Sequence, residues 1–163
     1  MKKFFVFLAF TCLFCAVTDV EGLEDLLGTD IQKCLNCLCH SRSGCWSRFN
    51  CAKYSISYEY WVQGGSHSRG PHNDEKDAYA NCMKDENCIL NTIKSYTERF
   101  GERDCNCDGT FDCKDRLAIH LFGDACFNPK FGSVYASRFN HCAAQVGVHE
   151  MAAAEGTCVV EVY

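Results

Sequence analysis

Apolar residues recur three and four positions apart along most of this chain, and strict alternation appears in one short stretch. The clearest periodic segment is Asn87–Phe100, where Ile89, Ile93, Tyr96 and Phe100 share one helical face and Gly101 supplies a stop. Ile31–Ser43 reads as a first helix, with Asp30 as its cap and Gly44 after its last turn. Asp74–Met83 is a shorter helix. Lys114–Phe122 is another, with Leu117, Ala118 and Leu121 inward, and Ser133 caps a last one through Cys142 that carries Val134 and Phe139. Tyr54-Ser-Ile-Ser-Tyr58 alternates, which predicts a short strand or hairpin. Residues 63–73 are a loop by composition, and the aromatics of 46–62 mostly belong to the core. The expected fold is mainly α, an α+β arrangement of a small hairpin plus several short helices.

The first residues change the picture of where the chain works. Lys2 and Lys3 precede an apolar run from Phe4 to Val17, the layout of an export signal over residues 1–18 with cleavage within 18–22. That run is shorter than the roughly 20 residues a spanning helix needs, so no membrane insertion is expected. Of the 15 cysteines, Cys12 and Cys15 leave with the leader, and 13 remain. In an exported chain so many cysteines signal a disulfide framework. Zinc at Cys34-x-x-Cys37 would need thiolates that an oxidising compartment does not preserve. An odd count leaves one thiol over.

Without Lys2 and Lys3 the chain carries 14 Lys+Arg against 21 Asp+Glu, net −7. No basic block exceeds two residues, which excludes nucleic acid as a partner.

The cysteine pattern carries a resemblance. Cys34-Leu-Asn-Cys37-Leu-Cys39-His-Ser-Arg-Ser43-Gly44-Cys45 resembles the opening signature of the invertebrate-type (destabilase-like) lysozymes. The likeness continues through Cys51 to Trp61, Asn81-Cys82 to Cys88, Tyr96 to Gly101, Asp104-Cys105-Asn106, Asp112-Cys113 and Ile119-His120. It ends at Ser137-Arg138-Phe139-Asn140-His141-Cys142, so residues 31–142 form the lysozyme-like domain and 143–163 a C-terminal tail. The style is closest to insect members.

The leader and the cysteines predict an extracellular protein, expected to be a monomer that requires no cofactor, and the resemblance implies that it meets bacterial peptidoglycan or another glycan. Hydrolysis of the β-1,4 bonds between N-acetylmuramic acid and N-acetylglucosamine needs two carboxyl groups, one protonated and one ionised. The family's acid, a glutamate on the first helix, falls at Arg42, which cannot act as an acid. The loop bearing the second carboxylate shrinks to Trp46–Asn50, which holds neither Asp nor Glu. The expected catalytic set is therefore empty, and Arg42, Tyr60, Trp61 and His120 become candidate substrate-binding residues. The alternative is an active muramidase with relocated carboxylates, for which Glu59 is the one acid between Arg42 and Trp61. Some relatives also cleave isopeptide bonds; His120 stands at the matching His, but Ser57 replaces the matching Lys, so this activity is not expected.

A second motif runs from Asp104 to Asp115. Asp104, Asn106, Asp108, Asp112 and Asp115 fall at positions 1, 3, 5, 9 and 12 of a twelve-residue calcium loop, with Gly109 at 6 and Phe111 at 8. Calcium is thus the candidate ion. A polar turn that caps the next helix is the competing reading. Nearness in sequence suggests Cys39–Cys45 and Cys82–Cys88. Cys107 and Cys158 fall outside the family pattern, and their pairing would leave Cys51 as the unpaired thiol.

Overall fold

The computed structural model describes residues 23–46, 56–127, 129–151 and 158. Helix α1 spans Asp30–Ser43. Thr29, one residue earlier than expected, is its cap, with a side chain that accepts from the Gln32 N–H. Gly44 ends it at φ 74, where its N–H donates to the His40 carbonyl at 2.7 Å. Among the described residues the other helices are α2 (Tyr58–Gln63), α3 (Glu75–Cys82), α4 (Glu86–Glu98), α5 (Cys113–Phe122) and α6 (Ser133–Val146). A 3-10 turn, Gly123–Ala125, follows α5.

The fold is mainly helical and disulfide-rich, as its periodicity and cysteines predict. The hairpin needs correction. Among the described residues there is no strand, and Tyr58 opens α2 instead of closing a strand. The reason is local: the Ser57 side chain accepts from the Tyr60 N–H and caps a helix. Tyr54 and Ser55 lie outside the described residues. Ser133 likewise is the first helical residue of α6 and not its cap, which is Gly132; the helix continues past Cys142 to Val146.

α1 packs chiefly on α6, and α4 and α5 lie against α1. Leu35, Leu38, Ile89, Ile93, Leu117 and Phe139 are fully buried between them. Each removes an apolar side chain from water, a gain of about 1.5–3 kcal/mol per residue.

The ends of the chain join this core. The Leu26 N–H donates to the Asn87 side chain at 2.9 Å, and Asn87 and Asn91 both donate to the Glu24 carbonyl at 2.8 Å. The acidic segment before α1 is therefore docked on α4. At the other end Met151 is buried, and it donates to the Asn140 side chain at 2.8 Å.

Disulfides bind these pieces. Cys34 joins α1 to Cys113 at the head of α5, and Cys37 joins α1 to Cys142 in α6. Thus the Cys34-x-x-Cys37 pair serves two different disulfides, one to each neighbouring helix. Cys82–Cys88 closes the α3–α4 turn, Cys105–Cys126 ties the loop before α5 to the turn after it, and Cys107–Cys158 pins the tail, with Cα atoms 5.2 Å apart.

The expected Cys39–Cys45 pair is not formed. Cys39 is disulfide-bonded and Cys45 is a free thiol. Nearness in sequence misleads here because Cys39 lies inside α1, fully buried, whereas Cys45 lies beyond the Gly44 stop and lines the surface. Cys51, expected to carry the unpaired thiol, lies outside the described residues.

Candidate functional site

The C-terminal end of α1 meets the start of α6. Buried Ser41 fixes the approach by donating to the Tyr135 carbonyl at 2.9 Å. One residue on, Arg42 reaches outward, and its Nη1 donates to the Tyr135 hydroxyl at 3.1 Å. Arg42, Ser43, Cys45 and Tyr135 line a cavity of about 440 Å³. None of the four is an acid, and among the described residues Arg42 has no ion-pair partner. This cavity opens at the position where the resemblance puts the catalytic glutamate.

Behind Arg42 lies a buried aromatic cluster. Tyr60 of α2 stacks on Tyr96 of α4 with ring centroids 3.6 Å apart. Its hydroxyl is 2.9 Å from Nδ1 of His120 in α5. Burial pushes the Tyr60 hydroxyl well above its ordinary range. Burial, reinforced by the positive charge of Arg42, lowers His120 to about 4, so its imidazole is neutral at physiological pH.

Of the four candidate substrate-binding residues, only Arg42 lines the cavity. Tyr60 and His120 are buried behind it. Trp61 is part of the core at 1% exposure, and its indole N–H donates to the His67 carbonyl at 2.7 Å. Glu59 is exposed on the first turn of α2.

The Asp104–Asp115 loop keeps its oxygens to itself. Asp104 accepts from the N–H groups of Asp108 and Gly109 at 3.2 and 2.8 Å. Asp115 is fully buried and accepts from Cys105, Asn106 and Asp112 N–H groups. With Asp112 it forms a capping box at the head of α5. Burial raises the Asp115 carboxyl to about 6, against the pull of those three donors.

Lys114 Nζ sits 2.7 Å from Asp108 and 3.3 Å from Asp112, bridging two of the five candidate ligands. The hydrogen bond from Lys114 depresses the Asp108 carboxyl far below its usual range. A lysine ammonium between two carboxylates already supplies the positive charge that calcium would bring. Among the described residues no three potential ligands gather for a metal. These bonds within the loop are those of a polar turn that caps α5.

These motifs belong to a known architecture. The sequence model of the Destabilase family matches residues 31–142. The chain belongs to the Destabilase family. An invertebrate-type lysozyme from Ruditapes philippinarum is 29% identical over 105 residues, covering 57% of this chain and 71% of the relative. No solved structure matches the chain.

In this Destabilase chain three neighbours of the cavity are not among the candidate site residues of the sequence, although nearness in sequence suggests a disulfide for one of them, Cys45. They are Tyr135, the free thiol of Cys45, and Arg138, whose guanidinium lies against Gly44. A Cβ at Gly44 would sit 3.0 Å from Arg138 Cζ, so glycine serves both the left-handed turn and the close approach. The signal for the tyrosine and the arginine was the three-residue spacing of Tyr135, Arg138 and His141, which puts them on one helical face.

Proposed function

We infer that this protein is an exported, non-catalytic glycan-binding relative of the muramidases, which meets peptidoglycan without cleaving it. One observation carries the reading: Arg42 opens into the cavity, and none of the described residues lining it is a carboxylate. A retaining or inverting glycosidase needs two carboxyl groups about 5–10 Å apart across the scissile bond. The guanidinium supplies neither proton nor nucleophile. It does supply a planar array of donors suited to sugar hydroxyls and carboxylates.

The carboxyl that burial raises into the range of a general acid is Asp115, and it is held by three backbone N–H groups inside the loop, away from solvent. Glu59, the relocated acid of the alternative reading, is exposed at a helix N-terminus and lacks the apolar pocket that keeps a catalytic acid protonated. Export is supported by the leader-like residues 1–18 and by a disulfide framework that an oxidising compartment preserves.

The test pairs two assays on the purified protein. It sediments with insoluble peptidoglycan, and it leaves the turbidity of a bacterial wall suspension unchanged from pH 4 to 8. Clearing that disappears in Glu59→Gln would establish a relocated acid and overturn the reading. Failure to sediment with the wall would remove the glycan.

A further inference from the structure

Arg42 is one end of a longer feature. Helix α6 presents Tyr135, Arg138 and His141 at three-residue spacing, and each meets a group at the end of α1. Tyr135 accepts from Arg42, the Arg138 guanidinium lies on Gly44, and the His141 ring is 6.0 Å from the His40 ring. Trp46 completes the far end. It stacks on His40 at 4.1 Å, with 18° between the ring planes, and lies 6.1 Å from His141. Trp46 is nonetheless 48% exposed, so one side of the indole packs on the imidazole while much of the ring faces water.

The charge of this strip is the opposite of the chain's. The full sequence is net −5, yet Ser133–Val146 contains no Asp or Glu. The one acid in α1 is Asp30, at its far end, about 20 Å away by the rise of a helix. Arg42 and Arg138 have no ion-pair partner among the described residues. The His40 imidazole is lowered chiefly by burial, against a backbone hydrogen bond at Cys45, with His141 and Arg138 adding to the lowering. His40 is 6% exposed, and its Nδ1 is buried with no hydrogen-bond partner. Two arginines left without acids in an acidic protein are open to an outside anion.

We propose that this strip, from the Arg42 cavity along α6 to Trp46, binds carboxylate-bearing sugars. Arg42 and Arg138 take the carboxylate, and the exposed indole face of Trp46 covers a neighbouring ring. The guanidinium is the side chain whose fork matches a carboxylate in two parallel hydrogen bonds. The indole offers a flat apolar face with negative charge density, which suits the C–H face of a pyranose. The proposal rests on the glycan-binding reading and narrows it from glycans at large to acidic ones.

Two oligosaccharides separate the narrow claim from the broad one. A hyaluronan hexasaccharide alternates glucuronate with N-acetylglucosamine; chitohexaose has N-acetylglucosamine throughout and no carboxylate. Calorimetric titration of the intact secreted protein is expected to give at least tenfold tighter binding of the hyaluronan fragment. That preference should shrink as salt rises from 50 to about 500 mM, because exposed charge pairs are screened. Arg138→Gln should weaken the hyaluronan fragment about tenfold or more, the usual cost of a lost charged hydrogen bond, and leave chitohexaose unchanged. Arg138→Lys keeps the charge without the fork and should fall between the two.

Trp46→Ala should weaken both sugars. The salt series on the unmodified protein keeps the test decisive if a variant fails to fold. Equal, salt-insensitive binding of both sugars would overturn the proposal and leave the glycan-binding reading intact. Binding of neither sugar, with no sedimentation on peptidoglycan, would overturn both.

Discussion

Two polar regions of this molecule treat their charges in opposite ways. In the Asp104–Asp115 loop nearly every carboxylate oxygen has a partner within the loop: backbone N–H groups, Thr110, or the Lys114 ammonium. Three disulfides start from it or from the head of α5, at Cys105, Cys107 and Cys113. At the α1–α6 end Arg42 and a thiol face a cavity with no acid among the described residues that line it, and Arg138 lies beside it against Gly44. A sequence motif can name ligands, but only satisfaction of the groups decides whether they are free to bind. The motif-bearing loop is closed, and the region lacking its expected motif is open.

The largest effects should come from breaking the covalent frame that holds each region. Cys37–Cys142 closes 105 residues and Cys105–Cys126 closes 21. Replacing the first pair by serines should cost about 5 kcal/mol of stability in urea unfolding, and the second about 3 kcal/mol, following the loop-length dependence. Equal costs would mean that native-state strain outweighs chain entropy.

Side chains should sharpen the contrast next. Asp115→Ala strands three buried N–H groups and should cost about 3 kcal/mol. Arg42→Ala, exposed and without an acidic partner, should cost no more than about 0.5 kcal/mol. A large loss at Arg42 would mark it as a structural residue and remove the reason to regard it as poised for a ligand.

The pH dependence of stability should divide between the same regions. Asp115 is raised from 3.8 to about 6, so its contribution is fully present below about pH 4 and lost as pH rises through about 6. His120 is lowered from 6.5 to about 4, so its contribution is present above about pH 6.5 and lost as pH falls through about 4. His40 and His67, both lowered chiefly by burial, act on the side of His120. The melting temperature should therefore rise modestly from pH 4 to 6.5. Asp115→Asn should steepen that rise, and His120→Phe should flatten it. The smallest effect is none: millimolar calcium should leave the melting temperature in place, since the loop's oxygens are already taken.

Much of the helical frame was legible from periodicity, because Ile89, Ile93 and Leu117 repeat at helical spacing and are fully buried. The boundaries drifted where a neighbouring residue caps better, as Thr29 does for α1. The segment at Tyr58 read as a strand because alternation over five residues cannot register a Ser57 cap that starts a helix. Cysteine pairing was legible where a turn closes, as at Cys82–Cys88, and misleading at Cys39, whose helix carries it into the core. Arg42 was found in the sequence as an absence of an acid. Tyr135, Arg138 and Trp46 were not, because their meaning comes from an α1–α6 contact between residues about 90 positions apart.

The central claim is that the Arg42 cleft holds a glycan and does not cut it. It is tested most directly by incubating purified peptidoglycan with a saturating amount of the protein, then recovering the bound wall and counting new reducing ends by mass spectrometry of the released sugars. The account predicts protein on the wall and no reducing ends above a protein-free control. New N-acetylmuramic acid reducing ends that increase with time would contradict it.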